Sequence, residues 1–150
     1  MVDYPDAEID AISVSEMGLP VSSTSKTGIT VTYDYDTLSR RTHVIDPRTG
    51  AAVTAYNAKG QVESVTDPAQ NTTTFFYDPD TGRRTAERNA LNRYTRYAYD
   101  DRGQVIHTWG DTAYPVKYVY DEAGRLTEMH TFREGENWSG RCSAQIKKVV

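Results

Sequence analysis

Asp36, Asn57, Asp78, Asp100 and Asp121 recur along the chain at steps of 21 or 22 residues. A row of acids is the raw material of a metal site, and Asp78-x-Asp80-x-Gly82 has some of the character of a calcium loop. That loop needs glycine at its sixth position and glutamate at its twelfth, whereas Gly82 is fifth here and Asn89 is twelfth. The second copy carries Asn57, which lacks the charge a hard cation wants. An Asx turn accepts Asp and Asn alike, because either side chain can take hydrogen bonds from backbone N–H groups further on. The row therefore reads as turn chemistry, with no metal and no cofactor expected.

The other reactive side chains give no constellation. His43, His107 and His130 stand at different offsets from their turns, so repeat symmetry does not bring them together, and no Ser or Cys pairing suggests a nucleophile and its base. Cys142 is the sole cysteine, which excludes an intrachain disulfide and a zinc cluster. We expect no enzyme. Arg83, Arg84, Arg88, Arg93 and Arg96 concentrate positive charge that could bind an acidic glycan or phosphate. Pairing with Glu87 and neighbouring carboxylates on a solvated face is their plainer role. Asn71-Thr72-Thr73 and Asn137-Trp138-Ser139 are glycosylation sequons, which matter only in a eukaryotic secretory context.

Each recurring acid opens a hairpin turn. In Tyr120-Asp121-Glu122-Ala123-Gly124-Arg125-Leu126, Asp121 suits the first position, Glu122 and Ala123 the two central αR positions, and Gly124 the left-handed position that closes a three-residue loop. The pattern returns at Tyr35-Asp36 with Ser39 in the glycine place, at Tyr56-Asn57 with Gly60, at Tyr77-Asp78 with Gly82 after one extra residue, and at Tyr99-Asp100 with Gly103. A second turn closes each repeat at the opposite end, in Asp46-Pro47-Arg48-Thr49-Gly50, Asp67-Pro68-Ala69-Gln70-Asn71 and Asn89-Ala90-Leu91-Asn92. We expect Gly50, Asn71 and Asn92 to be left-handed there.

Between turns the residues alternate at strand period, as in Val31, Tyr33 and Tyr35 or Thr95, Tyr97 and Tyr99. After the turn the apolar positions are spaced by three, as in Val62 and Val65, which signals a bulge. The strands should be short, roughly 6 residues or ~20 Å.

Ile, Leu, Val and Phe make only 26 of 150 residues, with mean hydropathy −0.68, a balance that borders on disorder. Against disorder stand a net charge of only −4 and 11 tyrosines, eight of them in two repeat columns. A tyrosine-rich, leucine-poor chain builds thin layers with a wet side. The acidic balance speaks against a nucleic-acid partner, and no run of 18 apolar residues could span a membrane. The amino terminus lacks the basic and apolar regions of a signal peptide.

Tyr118-Val119-Tyr120-Asp121-Glu122-Ala123-Gly124-Arg125-Leu126, with four further copies in phase, resembles the RHS or YD-repeat family. That resemblance implies a spiralling sheet of β-hairpins that curls into a hollow shell, found in bacterial polymorphic toxins, insecticidal toxin complexes, wall-associated proteins and teneurins. It implies a secreted or cell-surface location. The toxins carry an Asp-Pro-x-Gly-Leu type motif where self-cleavage occurs, and Asp46-Pro47-Arg48-Thr49-Gly50 is not that motif.

The expected fold is all-β, an antiparallel meander of hairpins with a period of about 21 residues, curling into an open shell segment. Residues 1–28 read as a degenerate repeat or flexible lead-in, 29–133 as five repeats, and 134–150 as an irregular tail. The repeat motif comprises Tyr35, Asp36, Tyr56, Asn57, Gly60, Tyr77, Asp78, Gly82, Tyr99, Asp100, Gly103, Tyr120, Asp121, Gly124 and Arg125. The expected function is a non-enzymatic scaffold segment of a larger exported or toxin-related protein. Its partners are then the rest of that polypeptide, or other copies met through sheet edges near Ile29–Tyr35 and Arg125–Thr131. The alternative is an adhesion module that binds carbohydrate or a cell-surface protein through exposed Tyr and Arg.

Overall fold

The computed structural model describes residues 9–111, 114–132 and 145–148. Every regular element among them is a strand: β1 Ile9–Val14, β2 Pro20–Ser25, β3 Thr30–Tyr35, β4 Arg41–Asp46, β5 Gly50–Tyr56, β6 Val62–Thr66, β7 Thr72–Tyr77, β8 Arg84–Arg88, β9 Tyr94–Tyr99, β10 Val105–Gly110, β11 Val116–Tyr120, β12 Leu126–Thr131 and β13 Gln145–Lys148. Two compact units divide the chain, one up to Thr72 and one from Thr73. In the first, β1 to β6 pair in chain order, each antiparallel to the next. In the second, β7 to β13 do the same. The fold is thus the all-β antiparallel meander read from the turn signals.

The bulge is present in each hairpin. Tyr56 pairs with Val62 but Ala55 with Ser64, so Glu63 is the extra residue and Val65 pairs with Thr54. Cross-strand partners share a face, which puts Val62 and Val65 on the side of Tyr56 and Thr54 and explains their spacing of three. The same slip occurs beside Tyr35, Tyr77, Tyr99 and Tyr120.

Three local expectations are corrected. Asn71 does not take the left-handed position of its turn; Gln70 does, with φ 65°. The position is fixed by counting from Asp67, whose carbonyl accepts the Gln70 N–H, and Asn71 instead gives both its backbone and side-chain N–H groups to the Asp67 carboxylate. The segments Ile29–Tyr35 and Arg125–Thr131 are not edges, since β2 pairs with β3 and β13 with β12. The strand β13 also lies where sequence patterning gave no strand, its alternation being too brief to register. Ahead of β3, the lead-in forms a hairpin of the repeat type, with the Ser15 hydroxyl accepting the Leu19 N–H in the role of the later acids and Gly18 at φ 77°.

Among the described residues no side chain is buried. A single layer of sheet leaves every residue open to water on one face or the other, so stability must come from links between neighbouring hairpins.

Candidate functional site

The motif residues build two devices, one inside each turn and one between successive hairpins. Inside the turn, Asp36 accepts the backbone N–H groups of Leu38 and Arg40 on one carboxylate oxygen at 2.9 and 3.0 Å, while the Arg40 Nε donates to the other at 2.7 Å. Asn57 does the same for Lys59 and Gln61 with its carbonyl oxygen. Asp100 accepts Gln104, Asp121 accepts Arg125, and Asp78 accepts Asp80 and Thr81 across its longer loop. Backbone hydrogen bonds from Arg40 and Arg125 hold the carboxyls of Asp36 and Asp121 below the usual aspartate range. Side-chain hydrogen bonds do so first at Asp46, from Arg48, and at Asp67, from Asn71. The acids are occupied by their own turns. Among the described residues no group of three or more His, Cys, Asp or Glu could hold a metal.

Between hairpins, four of the tyrosines that precede a turn reach back to the hairpin before them. The Tyr35 hydroxyl donates to the Pro20 carbonyl at 2.8 Å, Tyr56 to Arg41 at 3.0 Å, Tyr99 to Arg84 at 2.7 Å and Tyr120 to Val105 at 2.9 Å. Each acceptor lies 15 residues before its donor. Pairing from one hairpin to the next lasts only two to four residue pairs and stops short of these tyrosines. Where the ladder ends, the phenol takes over as donor, and its ring fills the space between the diverging strands. Burial raises the Tyr120 hydroxyl pKa as a result.

A second clamp acts at the turns. The Arg83 guanidinium donates to the Asp100 carbonyl at 2.9 Å and lies over the Tyr99 ring, Gln104 donates to the Gly124 carbonyl at 2.8 Å, and Arg40 covers the Tyr56 ring at 4.5 Å. These residues all directly follow the left-handed position. Sequence reading found the columns but not their reach, because a hydroxyl aimed at a backbone carbonyl leaves no residue-type signal at the acceptor.

Arg84, Arg88 and Arg96 separate. Arg84 pairs with Glu87 at 3.3 Å and lies over Phe75 and Tyr97, and burial followed by the Glu87 charge pushes the Tyr97 hydroxyl pKa up. Arg88 and Arg96 lie over Phe76 and Tyr94. The histidines stay apart: His43 bonds to Thr42, and His130 to Glu128. His107 is pushed toward the neutral form, by burial first and then by Lys117.

Residues 56–90, from Tyr56 through two successive turns of this geometry, match the family model of the RHS repeat. The chain carries an RHS repeat. The crystal structure of TcdB2-TccC3-Cdc42 resembles it with a TM-score of 0.70 at 19% identity, over 80% of this chain and 7% of that one. A structure of the Photorhabdus luminescens Tc holotoxin pore with a TccC3 mutation gives 0.68 at 19% identity, again over 80% and 7%. The crystal structure of TcdB2-TccC3 gives the same values as the pore. These likenesses establish the fold alone, an antiparallel sheet of hairpins that matches a small part of far longer chains. No curated protein matches the sequence. Among the described residues no helix is long and apolar enough to cross a membrane.

Proposed function

We propose that this chain is a structural, non-enzymatic segment of an RHS-repeat shell within a larger, exported, toxin-related polypeptide, and that the Tyr, Asp or Asn, Gly and Arg columns are its working residues. Residues 29–133 are then the regular repeats, and 1–28 holds the degenerate one. The observation that supports this reading is the combination of strands without a buried side chain among the described residues and hairpins bonded to their neighbours through Tyr35, Tyr56, Tyr99 and Tyr120. Such a sheet gains stability by neighbour contacts alone, as repeat proteins do, and its end strands need further repeats to cover them. Twisted open sheets of about ten or more strands tend to curl, which is how a wall segment would contribute curvature. Sedimentation of the purified chain at several concentrations tests the reading. Mass-action self-association through the end strands is the expected result, and a concentration-independent monomer with a cooperative melt overturns it.

A further inference from the structure

The two faces of the second unit differ in charge. On the face of Tyr97, Arg84 is neutralised by Glu87. The pairing register places Phe76, Ala86, Arg96 and Trp109 in one cross-strand row on the opposite face, with Thr74, Arg88 and Tyr94 in the next. Ala86 is small, so the rings of Phe76 and Tyr94 approach across it to 5.9 Å, and Phe76 remains 37% exposed. Each ring carries a guanidinium: Arg88 lies 6.0 Å from the Phe76 centroid and Arg96 4.8 Å from that of Tyr94. Among the described residues neither arginine has a carboxylate within ion-pair distance. Lys117 adds a further cation on this face; of the carboxylates near it, Glu128 is engaged by His130 and Asp111 accepts the Tyr94 backbone N–H at 2.8 Å. A cationic, aromatic surface in a chain of net charge −4 is a local feature and not a by-product of composition.

We propose that this face binds an extended acidic polypeptide segment of a partner, with carboxylates at alternate positions. A guanidinium lying over a ring keeps its N–H edges turned outward; Arg88 gives one N–H to the Thr74 hydroxyl at 3.4 Å, and its other N–H groups, like those of Arg96, form the fork that takes a carboxylate through two parallel hydrogen bonds. Arg88 pairs with Tyr94, two residues from Arg96 on the neighbouring strand, so the arginines are diagonal neighbours, about 7–8 Å apart at the backbone. In an extended peptide, side chains at i and i+2 share a side and stand about 6.8 Å apart. The two spacings agree, and Trp109 beside Arg96 offers an apolar contact for the residue that follows. A glycan is less well served, since the faces of Phe76 and Tyr94 that a sugar ring would cover already hold guanidiniums. Single-stranded nucleic acid is held by stacking its bases on uncovered rings, and here Phe76 and Tyr94 already hold guanidiniums.

The surface is independent of the scaffold reading. It is tested on the 150-residue chain by titration with a short fluorescent peptide that alternates Glu with Thr. The same composition with its Glu residues in one block, polygalacturonate and oligothymidylate serve as separate arms. We expect the alternating peptide to bind best, an Arg88→Gln/Arg96→Gln variant to lose at least about tenfold in affinity, and Arg88→Lys/Arg96→Lys to recover only part of it, because Lys cannot form the fork. Lys26→Gln, outside the patch, should bind as the parent does, and β-type dichroism with an unchanged melt shows each variant to be folded. Absence of binding, equal binding by the folded Gln variant, or tighter binding of the block peptide, polygalacturonate or oligothymidylate overturns the proposal.

Discussion

The hydroxyl of Tyr99 donates to the carbonyl of Arg84 at 2.7 Å, joining one hairpin to the next just where their strands stop pairing. Tyr99→Phe keeps the ring and deletes only this bond, and should cost about 0.5–1.5 kcal/mol. Tyr99→Ala also removes the ring and the surface on which Arg83 lies, for a loss of roughly 2–3 kcal/mol, below the full-burial range because the ring is only partly covered. Urea melts of the three proteins measure both steps. A Phe variant as damaged as the Ala variant would mean that the ring contributes little.

Ser39 sits in the left-handed region at φ 61°, where the other copies of its turn place glycine. Ser39→Gly should raise stability by about 1 kcal/mol, since a side chain there strains the backbone by about 1–2 kcal/mol. The reverse change at Gly103 should be worse than strain alone, because a Cβ would stand 3.0 Å from the Arg83 guanidinium and loosen its bond to Asp100. Thermal melts of Ser39→Gly and Gly103→Ala should therefore move in opposite directions, the second by the larger amount.

Gln70 offers a similar gain and Asn71 does not. Gln70→Gly relieves a positive φ, whereas Asn71→Gly removes the side-chain donor to Asp67. We expect the first to raise the midpoint of a denaturant melt and the second to lower it.

Acid should weaken the fold through its turns. The folded-state pKa values of Asp36, Asp46, Asp67 and Asp121 lie below the ordinary 3.8, so their contribution is present above that value and is lost as pH falls through the lowered folded values. His107, also lowered, acts in the same direction at higher pH: its contribution is complete above its ordinary 6.5 and declines as pH falls through its folded value. Melts from pH 7 to pH 2 should show two declines. Asp121→Asn, which mimics the natural Asn57, should flatten the lower one, and His107→Gln should abolish the upper one.

The turns and their spacing were legible in the sequence because each is a local bargain among five residues. An acid or amide, two αR positions and a left-handed residue settle their conformation without distant help, so Asp36, Asn57, Asp100 and Asp121 could be placed from the sequence alone. The bulge was legible for the same reason, through the spacing of Val62 and Val65. What the tertiary structure decided depends on neighbours. The carbonyls of Arg41, Arg84 and Val105 become acceptors only because strands diverge there, and backbone groups carry no residue-type signal. The left-handed Gln70 followed the turn's count against residue preference. Arg84 and Arg88 fall on opposite faces through the one-residue slip of the bulge. Alternation along a strand fixes which residues share a side, but only the pairing register showed that Arg84 meets Glu87 while Arg88 meets Phe76 and the Thr74 hydroxyl and Arg96 meets Tyr94.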